Sequence, residues 1–107
     1  MNWKDGRQGS GYKKLRLFQS KLLKCDLYLL KFPKGSYIKP HFDKVDGFEH
    51  HRANLVLNKS FKGGEFSCMG SYKKIGRLNI FRPDNQLHWL TRVREGDRYV
   101  LSLGWLK

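Results

Sequence analysis

The sequence predicts an all-β chain, an antiparallel barrel or jelly roll, from three observations. Apolar residues recur at every second position over several short stretches, glycine and proline punctuate the intervals between them, and no segment sustains the spacing of a long helix. At 107 residues the chain has room for one modest core and hence for one domain.

The elements follow in order. Residues 1–11 hold three glycines among polar neighbours and read as a flexible lead-in, with Trp3 able to dock; residues 12–107 form the single domain. From Leu15 to Phe32 the pattern is apolar but mixed, and alternation over Leu23, Cys25, Leu27 and Leu29 selects strand over helix. Pro33-Lys34-Gly35-Ser36 supplies a turn, and a short strand runs from Ser36 into His41. Asp43 to His51 is irregular, with Gly47 allowing positive φ. Ala53, Leu55 and Leu57 alternate with Arg52, Asn54, Val56 and Asn58, a strand with one more apolar face. Gly63-Gly64 turns the chain into a short strand through Cys68; Gly76 to Phe81 and Gln86 to Val93 are two more, separated by Pro83-Asp84-Asn85. After the Glu95-Gly96-Asp97 turn comes the clearest strand, Arg98 to Leu106. Tyr99, Leu101, Leu103 and Trp105 hold one parity; Arg98, Val100, Ser102 and Gly104 hold the other.

Twenty-two Lys and Arg against nine Asp and Glu give a formal charge of +13, a field that draws in polyanions, acidic proteins or small anions without choosing among them. Cys25 and Cys68 form no Cys-x-x-Cys unit and no disulfide framework, and read as buried thiols. No stretch has the length of a membrane span and no signal-peptide core is present. The expectation is a soluble cytoplasmic protein with no membrane contact.

Within this basic chain, His41 and Asp43 stand two residues apart after Pro40. On a strand, positions i and i+2 share a face, so both side chains can reach one ion in a barrel mouth. A second imidazole from another strand completes two histidines and one carboxylate on one face of an octahedral metal, the donor set of non-haem Fe(II) oxygenases. His50 and His51 can serve if their loop folds back; His88, on a separate strand with Leu87 and Trp89 directed away, is preferred. Arg98 follows His88 by ten residues across a turn, and a guanidinium directed into a barrel needs an anion such as a carboxylate.

With these residues in place, the chain resembles the 2-oxoglutarate- and Fe(II)-dependent oxygenase superfamily, especially its prolyl-hydroxylase-like branch. The resemblance runs through HFD at 41–43, RANLVLN at 52–58, GGEF at 63–66, GRLNIF at 76–81 and HWLTRVREGDRYVLSLGW at 88–105. It implies a double-stranded β-helix, a cupin-like jelly roll, in which His41, Asp43 and His88 are the catalytic metal ligands for Fe(II). It further implies that Arg98 holds the distal carboxylate of the cosubstrate 2-oxoglutarate and that Tyr37 shapes or hydrogen-bonds the cosubstrate pocket; Asn54 is a further polar pocket residue. O2 is the second cosubstrate, and succinate and CO2 are the coproducts. Gly63-Gly64-Glu65 maintains a turn. The chain before His41 is short against such relatives, which leaves room for a partner or oligomer to support the barrel, and Lys39 and Lys44 beside the metal pair favour an anionic substrate.

The expected substrate is a protein or peptide side chain, acidic in surroundings. A nucleic-acid or nucleobase hydroxylase or demethylase is the alternative suggested by charge. Tyr12, Lys13, Lys14 and Arg16, with Tyr72, Lys73 and Lys74, offer phosphate contacts and stacking. A non-enzymatic basic jelly roll that binds nucleic acid is the third reading.

Overall fold

A computed structural model describes residues 3–6, 11–43, 47–70 and 72–107. Within them the chain is all β. The strands are β1 (Lys4–Asp5), β2 (Lys13–Ser20), β3 (Cys25–Phe32), β4 (Ile38–His41), β5 (His50–Val56), β6 (Lys62–Gly63), β7 (Phe66–Cys68), β8 (Lys73–Ile75), β9 (Leu78–Phe81), β10 (His88–Leu90), β11 (Val93–Glu95) and β12 (Arg98–Leu106). A seven-stranded antiparallel sheet in the order β1-β2-β3-β12-β5-β9-β8 faces a three-stranded sheet β4-β10-β7, and β11 pairs with β6. This is the double-stranded β-helix, or cupin-like jelly roll. No helix is long and apolar enough to cross a membrane.

The region from Leu15 to Phe32 is a hairpin rather than one alternating run. Its turn takes residues 21–24, Lys24 adopts a left-handed φ of 52°, and Leu22 and Leu23 are 90% and 67% exposed. The alternation through Leu23 therefore does not belong to the strand, which begins at Cys25. Strand β5 begins at His50, so the irregular segment ends earlier than the sequence indicates. Of the expected lead-in, Lys4 and Asp5 pair with Lys14 and Lys13, and the Lys13 ammonium meets the Asp5 carboxylate. Cys25 and Cys68 are partly exposed, contrary to the expectation of buried thiols: Cys25 lies opposite Trp105 on the outer face of the large sheet, and Cys68 ends the short strand β7 opposite His88.

Strand β12 runs through the middle of the large sheet and its two parities separate inside from outside. Arg98, Val100, Ser102 and Gly104 are buried, whereas Leu103 is 43% exposed and Tyr99, Leu101 and Trp105 are only partly covered. The more apolar parity thus faces outward. The core is small: Phe32, Leu90, Val93 and Val100 cluster between the sheets, with Tyr12, Leu30, Ile38, Val56 and Phe66 packed around them.

Candidate metal centre

Strand pairing places His41 of β4 directly opposite His88 of β10, with ring centroids 4.2 Å apart. Each imidazole is oriented by its own backbone: His41 Nδ1 lies 2.8 Å from the Lys39 carbonyl and His88 Nδ1 2.9 Å from the Gln86 carbonyl. With Nδ1–H donating to those oxygens, Nε2 of both rings is turned towards the same point, where in the neutral form its lone pair can serve a metal. They meet Asp43, whose carboxylate oxygens lie 3.4 Å from each Nε2. One ligand atom from each of the three residues lies within 4.8 Å of the other two, a spacing that suits one divalent ion.

Asp43 does not reach this position by strand alternation. Strand β4 ends at His41, and Asp43 is held from the next segment: its N–H donates to the Pro83 carbonyl at 2.7 Å, and its own carbonyl lies 3.4 Å from His50 Nδ1. Burial works against the Asp43 carboxylate, but when the two rings are protonated at Nε2 their hydrogen bonds and charge outweigh it and hold its pKa far below the usual carboxylate range. The His50 imidazole is depressed by burial and then by the neighbouring Arg52. His51 turns outward, stacked on Trp105 and beside Glu49, so neither of the alternative histidines joins the cluster.

The triad opens into a cavity of about 420 Å³ between the sheets, within the range of small-molecule sites. Arg98 and Asn54 line the same cavity; Tyr37 does not, and its ring lies under the Arg92 guanidinium at 4.3 Å. Arg98 is 5% exposed, its Nε has no hydrogen-bond partner, and the rings of Phe32 and Phe61 flank its guanidinium. Desolvation lowers its pKa to about 10, which leaves it charged at neutral pH. Gly64 makes its room: at φ +62, a Cβ there would lie 2.9 Å from Val93 Cγ2 and 3.1 Å from Arg98 Cδ.

Several cavity residues had no sequence signal of their own. Arg52 donates to Ser102 Oγ at 2.7 Å and to both Asp26 oxygens at 3.0 and 3.2 Å, and Ser102 donates to Asn54 Oδ1 at 2.5 Å. Gly104 admits this cluster, since a Cβ there would strike the Arg52 guanidinium. Only strand parity on β5 and β12 could have pointed to it. The two basic-aromatic segments do not form one surface: β2 lies beside the β1 edge of the large sheet and β8 is the opposite edge, Tyr12 stacks on Phe32, and Tyr72 packs edge-on to Phe66.

No family model and no curated protein matches the chain. Solved structures do match its fold. A prolyl-4-hydroxylase from Pseudomonas putida aligns with a TM-score of 0.72 at 16% identity, covering 98% of this chain and 77% of that one. KdgF from Halomonas sp. aligns at 0.66 with 19% identity, covering 98% and 86%. The cupin domain of Schizosaccharomyces pombe Cnp3 aligns at 0.65 with 10% identity, covering 90% of this chain and 61% of that one. At identities this low the likeness shows a shared cupin-like barrel alone. They leave function to the site.

Proposed function

We propose that this protein is an Fe(II)- and 2-oxoglutarate-dependent dioxygenase that hydroxylates a C–H bond, with a protein or peptide side chain as substrate. One observation carries the reading. A two-histidine, one-carboxylate face and a buried arginine that no carboxylate pairs among the described residues share one cavity. A metal-binding barrel without 2-oxoglutarate has no need of a guanidinium enclosed at that depth, where an unpaired charge is costly.

The donor set fits a first-row divalent metal with three positions left for exogenous ligands. His41, His88 and Asp43 would hold it, and Arg98 would bind the far carboxylate of the oxo acid through its guanidinium fork. Leu30, Leu90 and Val100 keep the space between them apolar, which strengthens that ion pair and keeps water from the reacting centre. The Lys39 and Gln86 carbonyls fix both imidazole tautomers, so the ligand lone pairs need no reorganisation on metal entry. When bound, Fe(II) and the oxo acid supply the dioxygen chemistry. The balance is substrate C–H plus O2 plus 2-oxoglutarate giving substrate C–OH, succinate and CO2. The peptide substrate is supported by the prolyl-hydroxylase-like landmarks in the sequence and by the likeness in fold to a prolyl-4-hydroxylase.

Anaerobic Fe(II) titration with and without 2-oxoglutarate tests this. A visible charge-transfer band that needs both components, followed by succinate on admission of oxygen, is expected. His88→Ala and Asp43→Ala should remove both signals. Folded wild-type protein that produces neither would overturn the reading in favour of a non-enzymatic barrel.

A further inference from the structure

The turn between β2 and β3 presents to solvent what hairpin turns usually avoid. Such turns draw on glycine, asparagine, aspartate and proline, whereas residues 21–24 read Lys-Leu-Leu-Lys, with Leu22 90% and Leu23 67% exposed. Neither leucine side chain is needed to make the turn. Ser20 Oγ accepts the Leu23 N–H at 3.1 Å, Lys24 takes the left-handed φ of 52°, and the Lys24 carbonyl accepts the Leu106 N–H at 2.9 Å. The backbone is thus pinned on both sides, and the two leucines project from it instead of lying down on the sheet.

Phe48 adds a third apolar side chain beside the turn, 40% exposed, with the Lys24 ammonium over its ring at 4.4 Å. Lys21 and Lys24 bracket the leucines and are both exposed. The carboxylate of nearby Glu49 is engaged elsewhere, by His51 at 3.2 Å and Arg82 at 3.9 Å. An apolar tip with a basic collar matches a layered surface, anionic outside and apolar beneath. Leucines enter the acyl layer of a bilayer, while ammonium groups stay at the headgroups on their alkyl stems. A projecting turn finds burial in a fluid layer without a matching socket, which a folded partner would have to supply. The formal charge of +13 draws the whole chain towards such a surface. No spanning helix is required for this, so the sequence-based expectation of no membrane contact does not extend to the turn.

The turn also lies at the metal end of the barrel. Its Lys24 carbonyl holds Leu106, Leu106 pairs with His50, and His50 Nδ1 lies 3.4 Å from the Asp43 carbonyl, whereas Arg98 begins the far end of β12. Docking through this turn sets the metal end towards the bilayer.

We infer that the β2–β3 turn docks the protein on an anionic lipid bilayer, with Leu22 and Leu23 inserted and Lys21 and Lys24 at the headgroups. Metal plays no part in this, so it stands or falls apart from the oxygenase reading.

The test offers metal-free protein to vesicles of phosphatidylcholine alone and of phosphatidylcholine mixed with phosphatidylserine, with binding read by co-sedimentation. Wild type should bind the mixed vesicles, less tightly as salt rises, and bind the neutral ones far more weakly. Leu22→Ser with Leu23→Ser keeps the charge and should weaken binding about a hundredfold; should that pair fail to fold, Leu22→Ser alone should still weaken it about tenfold. Lys21→Gln with Lys24→Gln should weaken it about thirtyfold, and Lys73→Gln with Lys74→Gln, the same charge removed from the far edge of the sheet, should do much less. Leu22→Trp should gain blue-shifted emission that brominated acyl chains quench. Unchanged affinity in the folded serine variants means that charge alone holds the chain to any polyanion, and overturns the inference. Equal losses from the two lysine pairs, equal binding to both kinds of vesicle, or no binding by wild type overturn it too.

Discussion

Burying a guanidinium costs free energy unless an anion meets it, and among the described residues no carboxylate pairs with Arg98. Its folded pKa is depressed from the ordinary arginine range to about 10, so the unfolded chain holds the proton more tightly. The penalty is complete below about pH 10 and is relieved only as pH rises from there towards the ordinary arginine range. At neutral pH, replacing the charge with an apolar side chain of similar length should therefore stabilise the ligand-free protein. Arg98→Met is expected to raise unfolding free energy by about 1–3 kcal/mol in denaturant titration and to abolish any rise in melting temperature that 2-oxoglutarate gives the wild type. A less stable variant would show that a partner group already balances the charge.

At the scale of elements, two turns hold the site from outside the strands. Gly64 passes Arg98 and Val93 at a left-handed φ that only glycine adopts without strain. Gly64→Ala should cost about 2 kcal/mol or more, from left-handed strain together with the Val93 contact, and should weaken 2-oxoglutarate binding more than metal binding in separate titrations. The segment after β9 backs the metal centre. Pro83 accepts the Asp43 N–H, and Asp84 binds Arg82 through contacts of 2.6 and 3.2 Å. Burial opposes the Asp84 carboxylate, but the Arg82 hydrogen bond and the His50 N–H hold its pKa below the ordinary value. A carboxylate depressed on folding contributes stability above its unfolded pKa and loses it as pH falls through the folded one. Asp84→Asn should accordingly be less stable than wild type at pH 7, with the gap closing in thermal melts taken below about pH 4. Nothing in Pro83-Asp84-Asn85 beyond a turn was legible in sequence, since its role depends on which backbone lies beside it. The His41 and Asp43 pair was legible, although for a different geometry: alternation suggested a shared strand face, whereas the Pro83 carbonyl and His50 place the aspartate.

For the whole molecule, the outer face of the large sheet is the feature least like a closed globule. Leu15, Leu29, Leu101, Leu55, Leu78 and Ile75 form one continuous cross-strand row, and no residue of it is buried. Such a patch favours association, while a formal charge of +13 opposes contact between two copies. Salt screens the second effect and leaves the first. The sedimentation-average mass is expected to rise with ionic strength for wild type and to stay constant for a Leu55→Lys, Leu103→Lys double variant of unchanged fold. A mass independent of salt in both would show the outer face to be inert.

Local pattern was enough for the class of fold, the strand from Arg98 to Leu106 and the donor types of the site, because period-two alternation, turn residues and the chemistry of histidine, aspartate and arginine are local properties. Register between distant strands set which imidazole stands opposite His41, which parity of the last strand faces inward, and that Asn79 and not Tyr37 lines the cavity. Those outcomes depend on register between strands distant in sequence. A one-residue slip would exchange every inward side chain for its neighbour, and no local pattern encodes that choice.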